Sequence, residues 1–338
     1  MAENAKIERI LRLYPDECRP HTIELFAAPL SFSGAGLWRI ASDRGPLCLR
    51  RWPAGHPSQQ RLEFIQAVLW HVDQEGFHQV ALPLETQHHH GYVWHEGHLW
   101  ELLPWLPGAA NYRAQPSPRK LEAAMVALAR FHQAAATFPL PETNPVASPG
   151  MDERLARIRE LLGGGAAELA STIESGGWPE MAVRAGRLLS LFAAVAPKLL
   201  PTIESATRLR VSLQPCIRDV WHAHILFEGE GVSGIVDFGS LRPENVAADV
   251  ARLLGSLAMD DRADWDRGMA AYATVGRLSA DELSLVSAFD RSTVLLGGMQ
   301  WMQWIFVEGR QFGDPKAALS RVDEFVTRLG RLHEIVGG

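Results

Sequence analysis

A short β-hairpin pattern stands inside the helical two-thirds of this chain, and it limits the available folds more than any other feature. Ile225–Glu228 and Val232–Asp237 are apolar-rich runs on either side of Gly229-Glu230-Gly231, a turn-forming triplet. Around it the periodicity is helical, near Asp152–Leu162, Glu180–Leu200, Val246–Met259, Trp265–Val275 and from Ala280 onward. A regular hairpin pairs residues that are equidistant from its turn. The midpoint of His224 and Asp237, position 230.5, falls in that turn, so the two are expected side by side at the open end. Asp219, on the loop before the first strand, is expected close to them. Two carboxylates and one imidazole thereby converge on one spot.

The first third has a different texture. Leu37–Ser42 and Leu47–Trp52 flank the turn formers Asp43-Arg44-Gly45-Pro46, and Tyr92–His95 and His98–Leu103 flank Glu96-Gly97. Each pair predicts a hairpin. Between them, Leu62, Ile65, Leu69 and Val72 fall at helical spacing, predicting one amphipathic helix with Glu63 beside its buried stripe. Past Pro104 a proline-rich connector leads to a helical face of Leu121, Met125, Leu128 and His132. A chain of 338 residues has room for two lobes. The change of texture predicts a smaller lobe over 1–103 and a larger, mainly helical one over 104–338.

Composition removes several classes of function. With 33 Lys+Arg against 39 Asp+Glu, the net charge of -6 gives no electrostatic footprint for nucleic acid. The three cysteines, Cys18, Cys48 and Cys216, form neither a disulfide framework nor a zinc spacing, which suits a reducing cytoplasm. No run is read as the roughly 20 apolar residues of a membrane span, and no signal-peptide core is evident, so no membrane partner is expected.

Two converging aspartates in a loop–hairpin–loop setting suit phosphoryl transfer. One carboxylate orients a substrate hydroxyl, and the other holds a divalent cation against nucleotide phosphates. The run Asp219-Val220-Trp221-His222-Ala223-His224, followed by Gly234-Ile235-Val236-Asp237-Phe238-Gly239, resembles the catalytic and metal loops of the aminoglycoside phosphotransferase/choline kinase family. Leu128-Ala129-Arg130-Phe131-His132 and Asn245-Val246-Ala247-Ala248-Asp249-Val250-Ala251 are similar to its helices before and after those loops. The resemblance spans nearly the whole chain. It implies an α+β, bilobal, protein-kinase-like fold: a small antiparallel sheet with one helix, then a larger helical lobe. It also implies ATP and a divalent metal, Mg2+ or Mn2+, as cofactors. The acceptor would be a hydroxyl on a small molecule such as an amino alcohol, a homoserine-like amino acid, a sugar or an aminoglycoside.

Site residues follow from the same resemblance. Asp219 is the expected catalytic base, and Asp237 the metal ligand. Ser33, Gly34 and Gly36 lie where a phosphate-covering loop belongs, and Arg50 where the phosphate-pairing cation belongs, with Glu63 as its ion-pair partner. Arg51 is the alternative, because strand alternation sends the two arginines to opposite faces. Glu101 and Leu103 would form the hinge whose backbone meets adenine, and Asp249 would brace the catalytic loop.

The chain departs from the family at two loop positions. Ile217 replaces the usual histidine, and His224 replaces the asparagine that binds metal. An imidazole suits transition metals better than Mg2+. His224 is therefore either an unusual second ligand or the mark of a nucleotide-binding relative without turnover, acting as a sensor or scaffold. Trp301, Trp304 and Glu308, spaced i, i+3 and i+7, are read either as core packing or as an aromatic wall for a cationic acceptor. His88-His89-His90 is read as a solvated turn.

Overall fold

The computed structural model describes residues 2–26, 35–140, 145–174, 177–310 and 312–337. Two compact units account for its packing: residues 1–138 with 219–242, and residues 139–218 with 243–338. The boundary expected at 103/104 falls within the first unit, which also takes in the hairpin.

The first unit is built on a five-stranded antiparallel sheet. Its strands are β1 (Thr22–Leu25), β2 (Gly36–Ser42), β3 (Gly45–Arg51), β4 (Val93–His95) and β5 (His98–Pro104), in the order β1-β2-β3-β5-β4. The turn between β2 and β3 closes at Gly45, whose φ of 103° suits glycine. Helix α1 (Ala2–Leu11), which the sequence reading did not anticipate, covers one face of the sheet. Its Ile7, Ile10 and Leu11, with Tyr14, share a buried cluster with Trp38, Ile40, Leu47, Leu49, Trp100 and Leu102. Helix α2 (Gln59–Gln74), capped by Ser58, lies on the other face, where Leu62 packs with Trp52 and Leu99. Alternation thus divides neighbouring arginines: Arg51 turns to Glu3 of α1, and Arg50 takes the opposite face.

Helix α3 (Pro118–Ala135) is capped by Ser117 with proline in its first turn, and it buries Leu121, Met125, Leu128 and His132. Strands β7 (Ile225–Glu228) and β8 (Gly231–Ile235) form the expected hairpin in the same unit. Backbone bonds tie it down: Ala109 and Phe227 exchange N–H···O bonds, and the Ile235 N–H donates to the Gln79 carbonyl. Gly108 passes so close to Phe227 and Ser233 that a Cβ there would sit 2.7 Å from the Phe227 oxygen.

The second unit is mainly helical. It holds α4 (Pro149–Glu160), α5 (Ala166–Glu174), α6 (Pro179–Ala206), β6 (Gln214–Cys216), α7 (Ala247–Leu257), α8 (Arg262–Ala273), α9 (Ala280–Met302) and α10 (Pro315–Gly337). Strand β9 (Arg242–Glu244) pairs with β6. By length and mean hydropathy α6 is apolar enough to cross a membrane, a test that a core helix also passes, though Arg184, Arg187 and Lys198 interrupt its apolar run. Its Leu188, Phe192, Val195, Leu199 and Ile203 follow a 3–4 spacing and are buried, as α6 packs on α9 and α10. Buried Arg328 ties the helices together, donating to Asp260, to both oxygens of Asp290 and to the Gly255 carbonyl.

Candidate active site

The site begins where the hairpin opens. The register at the turn is Glu228↔Gly231 and Phe227↔Val232, but a bulge shifts it to Leu226↔Gly234 and Ile225↔Ile235. The turn closes on Gly229-Glu230, a register that would set His224 opposite Ile235; the bulge moves it on by one, so His224 lies opposite Val236, whose N–H donates to the His224 carbonyl, one residue short of Asp237. The side chains still meet, with His224 Nε2 3.7 Å from Asp237 Oδ2.

Asp237 and Arg218 both have left-handed backbone, with φ of 63° and 65°. Such conformations are uncommon outside glycine and cluster at functional loops. From this turn Asp237 Oδ1 accepts a hydrogen bond from Arg50 Nη2 at 2.7 Å and a longer one from the Gly239 N–H. Burial opposes ionisation of Asp237, but the Arg50 charge and these bonds outweigh it and hold the carboxyl well below the usual carboxylate range. Arg61 adds a second cation, with Nη2 3.2 Å from the Gly239 carbonyl. Burial lowers the pKa of nearby His56, and Arg61, Arg242 and Arg50 lower it further.

The hydrogen bonds of His224 fix its tautomer. Nδ1 lies 2.9 Å from the Asp219 carbonyl, which only accepts, so Nδ1 carries the proton. Nε2 then offers a lone pair, which accepts the indole N–H of Trp221 at 2.9 Å. The metal-ligand role expected of His224 would require it to give up this bond. His224 instead bridges the Trp221 ring to the backbone of Asp219. A divalent cation fits Asp237 on other grounds: its carboxylate is ionised, 37% exposed and an oxygen donor. Mg2+ commonly uses one or two carboxylates and completes its shell with phosphate oxygens and water.

The expected Arg50–Glu63 pair is not formed. Glu63 is exposed on α2 and accepts from Tyr92 Oη and Gln59 Nε2. The inward polar residue of α2 is Gln66, 2% exposed, which donates to Glu101 Oε1 and to the Gly91 carbonyl. Glu101 is itself buried and also accepts the indole N–H of Trp52. Burial pushes the Glu101 carboxyl up, while Arg50, Gln66 and Trp52 pull it down. Its expected hinge role changes too. Trp52 N–H donates to the Leu99 carbonyl on one edge of β5, and Leu84 N–H to the Leu102 carbonyl on the other. Alternation then directs the backbone groups of Glu101 and Leu103 into the β3 ladder, away from the open edge.

Gly36 starts β2, paired with Arg51, while Ser33 and Gly34 lie outside the described residues. In the second unit Asp249 is fully buried and accepts the N–H groups of Ile217 and Arg218, both at 2.6 Å, just before Asp219. This is the brace expected of it. The aromatic wall is already filled. Trp301 is buried and stacks on Phe312, while Arg310 lies 4.7 Å from the Trp304 ring centroid and pairs with Glu308. The segment Gln303–Val307 is also a π-type turn, so the α-helical spacing behind that reading is lost. The His88–His90 turn is exposed as expected.

Sequence comparison agrees with this architecture. Residues 28–283 match the model of the phosphotransferase enzyme family, and the chain belongs to that family. No curated protein gives a significant sequence match. Solved structures of the same fold include the spectinomycin phosphotransferase APH(9)-Ia, in complex with ADP and spectinomycin. It is 12% identical, with a TM-score of 0.69 over 97% of this chain and 98% of that one. A microcompartment-associated aminopropanol kinase is 13% identical, with a TM-score of 0.69 over 99% and 98%. The amicoumacin kinase hAmiN, in complex with AMP-PNP, Ca2+ and Ami, is 13% identical, with a TM-score of 0.64 over 97% and 93%. At these identities the likeness shows the protein-kinase-like fold.

Proposed function

We propose that this protein transfers the terminal phosphoryl group of ATP to a hydroxyl of a small molecule. The observation that carries the reading is the Arg50–Asp237 pair, in which the sheet's inward cation meets an ionised carboxylate on a left-handed loop at the hairpin's open end. In this reading Asp219 orients the acceptor hydroxyl and takes its proton. Arg50 steadies the phosphates, and residues 1–103 with the Gly36 strand supply the nucleotide side. Asp237 would hold the divalent cation, which when bound supplies charge neutralisation at the phosphates. The acceptor class is an amino alcohol, homoserine-like amino acid, sugar or aminoglycoside, in keeping with the small molecules named for the structural neighbours. Three free cysteines support placing the protein in the cytoplasm.

A second reading, nucleotide binding without turnover, is favoured by the engagement of His224 with Trp221 and Asp219, which leaves Asp237 to hold a cation without it. ATP consumption with Mg2+, Mn2+ or Zn2+ across a panel of hydroxyl compounds separates the two. Turnover that disappears in Asp219→Ala, with nucleotide-dependent thermal stabilisation retained, supports the transferase. Stabilisation by ATP with no turnover under any metal supports the binding protein, and neither effect refutes both.

A further inference from the structure

The sheet face toward α2 carries a buried polar group that no sequence motif marks. Arg50 and Glu101 are register partners in the β3–β5 pair, so their side chains lie next to each other on that face. The carboxylate does not bond the guanidinium directly. One oxygen takes the Trp52 indole N–H and the other the Gln66 amide. The Arg50 guanidinium lies instead over the Trp52 ring, with its carbon 3.5 Å from the ring centroid. Arg50 Nη2 reaches Asp237, while its buried Nε has no hydrogen-bond partner. Gly239 also borders the indole: a Cβ there would stand 3.0 Å from the ring.

We infer that Trp52 is the positioning residue for Arg50, fixed in turn by Glu101 of the sheet and Gln66 of α2, and that this seat requires an arginine. The inference rests on the reading of Arg50 as the phosphate-pairing cation. A guanidinium is flat, weakly hydrated and stacks on an indole face, whereas an ammonium is a compact, strongly hydrated point charge. Donating its N–H to a carboxylate leaves the indole ring more electron-rich, which strengthens its hold on the cation. The seat also accounts for two other features. Glu63 is free to face solvent because the acid has moved to the strand. Position 239 is a glycine because the indole edge fills the space where a Cβ would project.

The test is a double-mutant cycle of Arg50→Lys and Trp52→Leu on the full-length protein, read by ATP affinity in calorimetry and by Tm without nucleotide. Arg50→Lys is expected to weaken ATP binding roughly tenfold in the native background and about twofold or less beside Trp52→Leu. Equal losses in both backgrounds would overturn the seat. The Tm cycle needs no ligand, so the two readings fail separately. A non-additive Tm cycle with no ATP binding by any variant, native included, keeps the seat and removes the phosphate role. An additive Tm cycle removes the seat whatever the nucleotide does. Should Trp52→Leu fail to fold, Trp52→Phe keeps a ring without the N–H, and the Arg50→Lys loss is then expected to be intermediate. An unchanged loss there overturns the inference.

Discussion

Replacing His224 by alanine tests whether this ring is a bridge or a metal ligand. The side chain is 14% exposed and makes two hydrogen bonds of 2.9 Å, one given to the Asp219 carbonyl and one taken from Trp221. Each such bond is worth about 1 kcal/mol net, and up to about 3 where a buried partner loses it outright. Losing both should therefore destabilise the first unit by about 2–4 kcal/mol. For a unit of this size that is a fall in Tm of roughly 5–15 °C, read by differential scanning fluorimetry with chelator present. His224→Asn should recover about half of the loss, since its amide can donate to the Asp219 carbonyl but is too short to reach Trp221. A ligand role predicts something else: Zn2+ or Mn2+ would raise the Tm of the native protein and not of the variant, because only the native state would hold the ion. If His224→Ala melts like the native protein without metal and loses only that metal-dependent rise, the bridge is wrong.

Other substitutions test the supports further out. Asp249→Asn leaves one oxygen for the two N–H groups of Ile217 and Arg218 and turns an amide donor toward the other. A loss of about 1.5–3 kcal/mol in chemical denaturation is expected, and a neutral result would remove Asp249 as the brace. Burial pushes the Cys48 thiol up to about 11. Its alkylation at pH 8 should run about two orders of magnitude slower than that of an ordinary thiol, and unfolding should abolish the difference. The folded pKa lies above the unfolded one, so the contribution is full below about pH 8.5 and is lost as pH rises toward 11. A Cys48→Ala variant that keeps the native alkaline stability loss would refute that assignment.

The elements around the site were legible because they obey local rules. Turn residues and alternation marked β2, β3, β5 and the hairpin, and an apolar stripe marked α2. The pairing inside the site was not, for two physical reasons. The hairpin turns tightly on Gly229-Glu230, with Glu228 opposite Gly231, and a bulge at Leu226/Phe227 then moves the register by one residue; the triplet Gly229-Glu230-Gly231 reveals neither. The ligand capacity of His224 depends on what its two nitrogens touch, and spacing says nothing of that. Other misses had a signal. Gln66 sits four residues after Leu62 and three before Leu69, within the buried stripe, whereas Glu63 lies beside it. Glu101 is the one charge in the run Leu99-Trp100-Glu101-Leu102-Leu103, and an acid in a buried strand needs partners. Helix α1 carries few apolar residues in a mixed charged stretch, and only Ile7, Ile10 and Leu11 reveal its buried side.

Moving the acid from helix to strand changes what controls Arg50. A carboxylate on α2 would make the position of Arg50 follow the position of that helix. Glu101 and Arg50 are instead held by the same β3–β5 ladder, a rigid hydrogen-bonded register, and α2 contributes only the Gln66 amide. The indole between them converts a charge pair into a stack. Its direction is set by the ring plane, and solvent screens it little because Trp52 is 4% exposed. What remains adjustable is the outer end of the guanidinium, which pairs with Asp237 on a loop whose left-handed turn fixes the carboxylate. The cation is thus set by the sheet and the anion by the hairpin loop, and under the proposed function the single bond between them is the contact that an incoming phosphate would exchange.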